Sequence, residues 1–182
     1  NNQTMNGVAS SATGLTGNYD SSNNGFLAAP FLYSTTGLTF TNFFSTAGGS
    51  LGITVTNQYS TMGVKLNAGT VTGDLWQSYL VNFTTMSSTD SATWAGTRIN
   101  EGVGIGASNS RLSLQAEGSP AGKAVGVGYE NSAAANVTAG TGALATGTTY
   151  LMLGKFTNVG NTLSVGSPGT ANLWAFTQSA YD

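Results

Sequence analysis

The sequence predicts an all-β domain of sandwich or jelly-roll type with little or no helix. Period-two alternation of apolar and polar residues recurs along the chain, whereas helical periodicity is nearly absent. In residues 111–117, Leu112, Leu114 and Ala116 share one face and polar residues take the other, as in a strand with one solvated side. Clusters of Gly, Asn, Ser and Pro separate the alternating stretches. About ten short strands in one domain are typical of a sandwich or jelly roll.

The elements follow from the alternation and its breaks. Apolar residues occupy both faces of residues 75–83, which predicts a strand covered on both sides with Trp76 in the core, and Trp174 is predicted to be core for the same reason. Residues 1–24 are predicted to be a polar, loosely attached segment, residues 25–182 a single sandwich domain, and residues 131–147 a long loop. Predicted strands cover residues 37–44, 51–57, 62–67, 75–83, 95–99, 102–107, 111–117, 123–129, 150–156, 162–165 and 171–177.

The composition excludes most catalytic chemistry. Only 7% of the 182 residues are charged, and the chain has no His and no Cys. Acid–base, nucleophilic and metal chemistry draw mainly on those residue types, so no enzyme activity and no resident cofactor are expected. The net charge is −2 and the five Lys and Arg residues are scattered, which argues against nucleic acid as a partner. No apolar run approaches the ~20 residues of a membrane span.

The composition also indicates where the protein works. Three Trp, seven Tyr and eight Phe argue against disorder, because disordered chains are poor in aromatic residues. Hydroxyl and amide side chains replace charged ones, a bias common in matrix, sheath and filament proteins. We therefore expect an extracellular, cell-surface location.

Several segments carry a family resemblance. They are Gly37-Leu38-Thr39-Phe40 followed by residues 46–50, residues 73–81 (GDLWQSYLV), and residues 150–156 (YLMLGKF) answered by residues 171–174 (ANLW). In order and spacing they resemble the concanavalin A-like (laminin-G-like) jelly-roll domains of exported bacterial surface proteins, of the sorting-signal type found in Planctomycetes and Verrucomicrobia. The resemblance covers about residues 36–182. It implies an extracellular β-sandwich with an adhesive or carbohydrate-binding role, and in comparison the chain lacks strands at both ends.

Alternating glycines suggest a flat platform. Gly102, Gly104 and Gly106 alternate with apolar residues, as do Gly126 and Gly128. Glycine in a strand often marks close approach by a ligand or another backbone, and Trp94 is the tryptophan expected to be exposed. The alternative is that large side chains from a covering loop fill the space above the glycines. The platform hypothesis predicts a surface for a glycan or for an identical subunit.

Oxygen-rich and acidic residues give two further hypotheses. Asn18, Asp20 and Asn23 lie in an Asx-rich stretch that suits either a weak calcium site or a plain turn, because calcium takes only oxygen ligands. Glu117 and Glu130 lie on neighbouring predicted strands, where a pair of carboxylates is what a jelly-roll glycanase needs. Ordinary solvated positions are the expectation for both glutamates.

Three sequons match the N-glycosylation pattern. They begin at Asn2, Asn82 and Asn136, and Asn136 lies within the predicted loop. Such matches also arise by chance in a chain rich in Asn and Thr.

The sequence alone favours a non-catalytic structural protein, a subunit of a surface, matrix or filament assembly that contacts identical subunits. The alternative is a carbohydrate-binding, lectin-like module. A glycan-active enzyme ranks third.

Overall fold

The computed structural model describes 12 strands and one short helix. The chain divides into two compact units, the first made of Asn1–Leu38, Thr46–Thr70 and Gly104–Gly106, the second of Thr39–Ser45, Val71–Val103 and Ala107–Asp182. The prediction of a domain boundary after residue 24 stays a prediction. The described residues are 3–4, 9, 15–20, 32–43, 49–52, 63–66, 73–84, 93–100, 111–119, 122–131, 134–139, 144–159 and 170–182.

Antiparallel strands dominate the described residues, as the alternation predicts, and their helix content is four residues. No helix in this described part is long and apolar enough to cross a membrane. The first unit holds β1 (Gln3–Thr4), β2 (Leu15–Asp20), β3 (Leu32–Ser34), β4 (Ser50–Gly52) and β5 (Gly63–Leu66). The second holds β6 (Gly73–Asn82), β7 (Thr93–Asn100), β8 (Arg111–Ser119), β9 (Gly122–Asn131), β10 (Ala134–Ala139), β11 (Thr149–Val159), β12 (Ala171–Phe176) and α1 (Gln178–Tyr181).

The first unit contains two small sheets, with strand orders β1-β3-β4 and β2-β5. Within residues 1–24, β1 pairs with β3 and β2 pairs with β5, while the loose attachment of this segment stays a prediction. Polar residues form these strands because backbone pairing satisfies their N–H and C=O groups whatever the side chains are. Gly49 is needed beside β3, since a Cβ at that position would overlap the Ser34 carbonyl and the Tyr33 ring.

A four-stranded sheet of order β10-β9-β8-β7 forms one part of the second unit. The predicted strands at residues 111–117 and 123–129 are confirmed, and their register places the predicted apolar rows on one face. The prediction of a loop over residues 131–147 is wrong for β10, which pairs with β9 along its whole length. The paired apolar positions are Leu112 with Tyr129, Leu114 with Val127, and Ala116 with Val125.

A three-stranded sheet of order β12-β11-β6 carries the described core, with β11 in the centre. Every second residue of β11 points to the same side, so Met152 and Phe156 are fully buried on one face. We call this side the core face. Its buried cluster is Phe83, Leu144, Tyr150 and Met152, against which Tyr79, Val81, Leu173 and Ala175 pack.

The segment before β11 is fixed to this core by two hydrogen bonds. The Ala145 N–H donates to the Tyr150 hydroxyl at 2.8 Å, and the Gly147 N–H donates to the Phe83 carbonyl at 2.8 Å. Gly147 adopts a φ of 75°, a conformation that glycine takes at little cost. Leu144 is thereby held in the buried cluster.

The opposite side of the same sheet is covered at one end. Leu151 is 1% exposed there, and its strand partner Phe176 makes an edge-on ring contact with Tyr181 of α1. The Tyr181 ring also meets the rings of Phe40 and Phe43 at centroid distances of 5.4 and 5.8 Å. The predicted strand at residues 37–44 is wrong over the described residues, because residues 37–39 have no regular secondary structure, Phe40 forms an isolated bridge and residues 41–43 form a turn. The turn brings Phe40 into the aromatic cluster.

Candidate functional site

Two exposed tryptophans lie on the uncovered end of the three-stranded sheet. Trp76 of β6 is opposite Lys155 of β11, and Trp174 of β12 is opposite Leu153. These four residues share the side that faces away from the core face, because residues directly opposite in antiparallel strands project on the same side. Trp76 is 53% exposed and Trp174 is 40% exposed. The sheet therefore presents indole rings to solvent.

The two indole rings stack across β11. Their centroids are 6.1 Å apart and their planes differ by 18°. Strands β6 and β12 are both neighbours of β11, so their backbones lie about 10 Å apart, and the rings lean towards each other over the central strand. At a van der Waals separation of about 3.5 Å between planes, this centroid distance corresponds to a lateral offset of about 5 Å. Each ring thus covers only part of the other.

A lysine is held beside the pair. Lys155 Nζ lies 2.7 Å from Asp74 Oδ2 and 5.2 Å from the centroid of the Trp76 ring. The ion pair fixes the ammonium group, and the ammonium attracts the electron-rich ring face. Asp74 and Trp76 are alternate residues of β6, so both project on the same side as Lys155. The three residues form one connected group.

Neutral polar residues complete this surface. Ser78 on β6 and Asn172 on β12 are exposed, and the register places both on the side of the tryptophans. Leu153 lies between them on β11 and is partly buried. We call the surface the tryptophan face, and its residues are Asp74, Trp76, Ser78, Leu153, Lys155, Asn172 and Trp174.

The prediction that Trp76 and Trp174 are core residues is wrong. Both lie in apolar strands as expected, but the sheet buries only its core face along the whole length. On the other side the Phe40–Tyr181 aromatic cluster lies at Phe176, two residues beyond Trp174. Trp76 is exposed because the aromatic cluster does not extend over it. The alternation pattern of the strand does not indicate where such a cluster ends.

The predicted glycine platform is placed in part. Gly126 and Gly128 lie in β9, opposite Gln115 and Ser113 of β8. Trp94 lies in β7, opposite Glu117 of β8, which is itself opposite Ala124 of β9. Gly102, Gly104 and Gly106 lie outside the described residues. The platform therefore stays a prediction.

The two described residues of the predicted calcium site do not lie in a turn. Asn18 and Asp20 lie in strand β2 rather than in a turn, and Asp20 pairs with Gly63. Asn23 lies outside the described residues. Among the described residues, no three acidic side chains cluster as a metal site would require. Calcium binding stays a prediction.

Register also separates the two candidate carboxylates. Glu117 is opposite Ala124, and Glu130 is opposite Arg111. Ala124 and Glu130 are six residues apart on one strand, about 20 Å at the usual rise. Glycosidases need their two carboxyl groups within about 10 Å, so the backbone does not assemble this pair.

The three sequons differ in their placement. Asn82 ends β6, and its Nδ2, the atom that would carry a glycan, donates to Thr149 Oγ1 at 3.1 Å. Its Oδ1 is buried without a hydrogen-bond partner. Asn136 lies in β10 opposite Tyr129, so the expectation that it is in a loop is wrong. Asn2 lies outside the described residues.

Comparison of this chain with protein-family models, with curated proteins and with solved structures finds no match. The resemblance to concanavalin A-like domains therefore stays a prediction.

Proposed function

We propose that this protein is a non-catalytic glycan-binding module and that the tryptophan face is its binding surface. The observation that carries the proposal is the stacked, solvent-exposed pair of Trp76 and Trp174. A pyranose ring has a face of C–H groups that packs on an indole, and Trp adds a large contact area with a polar N–H at its edge. Two offset rings offer such contact to consecutive sugars of a chain.

Polar groups around the rings supply the directional contacts. Ser78 and Asn172 present a hydroxyl and an amide, and Asp74 and Lys155 present an acceptor and a donor. Sugar hydroxyls both donate and accept, so this set matches them. A few placed polar groups around an apolar surface are the usual composition of a small-molecule site.

The proposal includes an extracellular, cell-surface location and a jelly-roll sandwich of the concanavalin A-like type. The antiparallel sheets support the sandwich at the level of an all-β fold. The low content of charged residues supports the location. No catalytic step is proposed, and the distance along the sheet between Glu117 and Glu130 agrees with that choice.

Titration against soluble polysaccharides tests the proposal. A panel of neutral and anionic polymers is measured by calorimetry with the wild-type chain and with Trp76→Ala and Trp174→Ala. Each substitution is expected to weaken binding at least fivefold, since buried Trp contacts carry more than about 1 kcal/mol at interfaces. Leu51→Ala, at an exposed apolar residue of β4, is the control and should bind like wild type. Binding that is equal in all four proteins, or absent for every polymer, overturns the proposal.

A structural subunit is the second candidate. The row of Gly126 and Gly128 on one face of the four-stranded sheet favours it, because bare backbone admits a neighbouring chain. Light scattering over a hundredfold range of concentration separates the two candidates. A mass that rises with concentration and falls back in Gly126→Val supports the subunit, and a constant monomer mass contradicts it.

A further inference from the structure

We propose that Asp74 determines specificity at the tryptophan face by restricting it to neutral glycans. This inference rests on the proposed function. It concerns the charge of the ligand, whereas the tryptophans account for binding itself.

The tryptophan face carries no net formal charge. Asp74 and Lys155 are the charged residues among the seven of the tryptophan face, and their formal charges cancel. Lys155 Nζ is 2.7 Å from the carboxylate, so its positive charge is compensated at contact distance. An anionic sugar therefore finds no net attraction at the surface.

The two charged side chains differ in their exposure to solvent. The Asp74 side chain is 47% exposed and that of Lys155 is 28% exposed. The carboxylate is thus the more accessible of the two charges, and Lys155 is partly covered beside the Trp76 ring. A uronate or sulfate that stacks on Trp76 approaches the carboxylate and is repelled, while a neutral sugar gains a hydrogen-bond acceptor.

Asp74 also compensates the charge of Lys155 beside the Trp76 ring. By pairing with Lys155 it holds the ammonium 5.2 Å from the Trp76 ring centroid. Removing the negative charge leaves an uncompensated cation next to the stacking surface. Such a cation attracts anionic ligands, and the attraction weakens as salt increases.

Asp74→Asn tests the inference because it keeps the shape of the side chain and removes its charge. The probes are a neutral polymer that the wild-type chain binds and the carboxymethyl derivative of the same polymer. We expect Asp74→Asn to weaken binding of the neutral polymer, because the charged acceptor is lost, and to raise the ratio of the carboxymethyl affinity to the neutral affinity about fivefold, as one exposed charge interaction allows. The gain should largely disappear at 1 M salt, where the Debye length is about 3 Å.

Two variants serve as controls. Asp182→Asn makes the same change in net charge at another exposed carboxylate and should leave the preference unchanged. Lys155→Gln leaves the Asp74 carboxylate without its ion-pair partner, so the preference for the neutral polymer should increase. If Asp74→Asn leaves the ratio of the two affinities as in wild type, or Asp182→Asn changes it equally, the inference is wrong while glycan binding stands. If the wild-type chain binds no polymer, the proposed function fails first.

Discussion

Trp76 and Trp174 lie on the two strands that flank β11, yet their rings stack over that strand with centroids 6.1 Å apart. The strands themselves are about 10 Å apart, so the contact depends on both side chains leaning inwards. Lys155 of β11 lies with its Nζ 5.2 Å from the Trp76 ring centroid and is fixed by Asp74. The rings are thus ordered before any ligand arrives, which lowers the entropy cost of binding.

The tryptophan pair should contribute little to stability despite its size. Trp76→Ala is expected to lower the free energy of unfolding by about 1 kcal/mol, the value of one aromatic pair. Phe156→Ala, at a residue with no exposed surface, should cost about 3–5 kcal/mol. Urea unfolding of the two variants measures the difference. Equal losses would show that Trp76 belongs to the core and would remove the basis of the binding surface.

Strand positions could be predicted because alternation is a local property. Residues 111–117 and 123–129 alternate cleanly, and each falls within an observed strand. Burial could not be predicted in the same way, because β6 carries apolar residues on both faces. How far the second face is covered depends on Phe40 and Tyr181, residues far from β6 in the sequence.

Strand β10 shows the opposite limit. Its residues are mostly Ala, Asn, Val and Thr, which look like a loop by composition. Pairing with β9 supplies the backbone hydrogen bonds that make it a strand. The sequence pattern also gives no indication of the turn at residues 41–43, because a single residue in the left-handed region, Asn42, ends the extended chain.

Asn42 has a φ of 64°, and two substitutions at this position test its left-handed conformation. Asn42→Gly should leave stability nearly unchanged, because glycine adopts positive φ freely. Asn42→Ala should lower the free energy of unfolding by about 1 kcal/mol, since a Cβ without a short polar group is disfavoured there. Thermal unfolding of both variants decides the matter. The same melting temperature for both would contradict a left-handed conformation at Asn42.

Tyr79 should make the fold sensitive to alkali. Burial raises the pKa of Tyr79 above its usual value, because the phenolate loses its hydration on the core face. The unfolded chain ionises near pH 10, while the folded chain keeps the proton to higher pH. The contribution to stability is therefore complete below about pH 10 and is lost as the pH rises beyond it.

The measurement is the denaturant midpoint at pH 8 and pH 11. The wild-type chain should lose stability between these values, and Tyr79→Phe should lose less. Tyr181→Phe, the same change at an exposed residue of α1, is the control and should keep the wild-type loss. An alkaline loss in Tyr79→Phe as large as in wild type would assign the effect to other groups.

The Gln178 side chain should hold helix α1 to the turn at residues 41–43. Its Oε1 accepts the Thr41 N–H at 2.7 Å and its Nε2 donates to the Thr41 carbonyl at 3.4 Å, across 137 residues of sequence. The same Nε2 lies 2.9 Å from Asp182 Oδ1. Gln178→Ala removes these three bonds, and at about 0.5 kcal/mol each, the lower end for a hydrogen bond, the predicted loss is about 1–2 kcal/mol at this exposed site. Amide exchange at Thr41 should accelerate about tenfold, because its acceptor is gone.

Ser179→Ala changes the neighbouring residue, whose hydroxyl meets only Thr177 in the described contacts, and should leave Thr41 exchange unchanged. Gln178→Glu repels Asp182 but keeps an oxygen that can accept the Thr41 N–H. Amide exchange at Thr41 should therefore be slower in Gln178→Glu than in Gln178→Ala. Thr41 exchange that is the same in wild type and Gln178→Ala would show that the side chain does not hold the turn in solution.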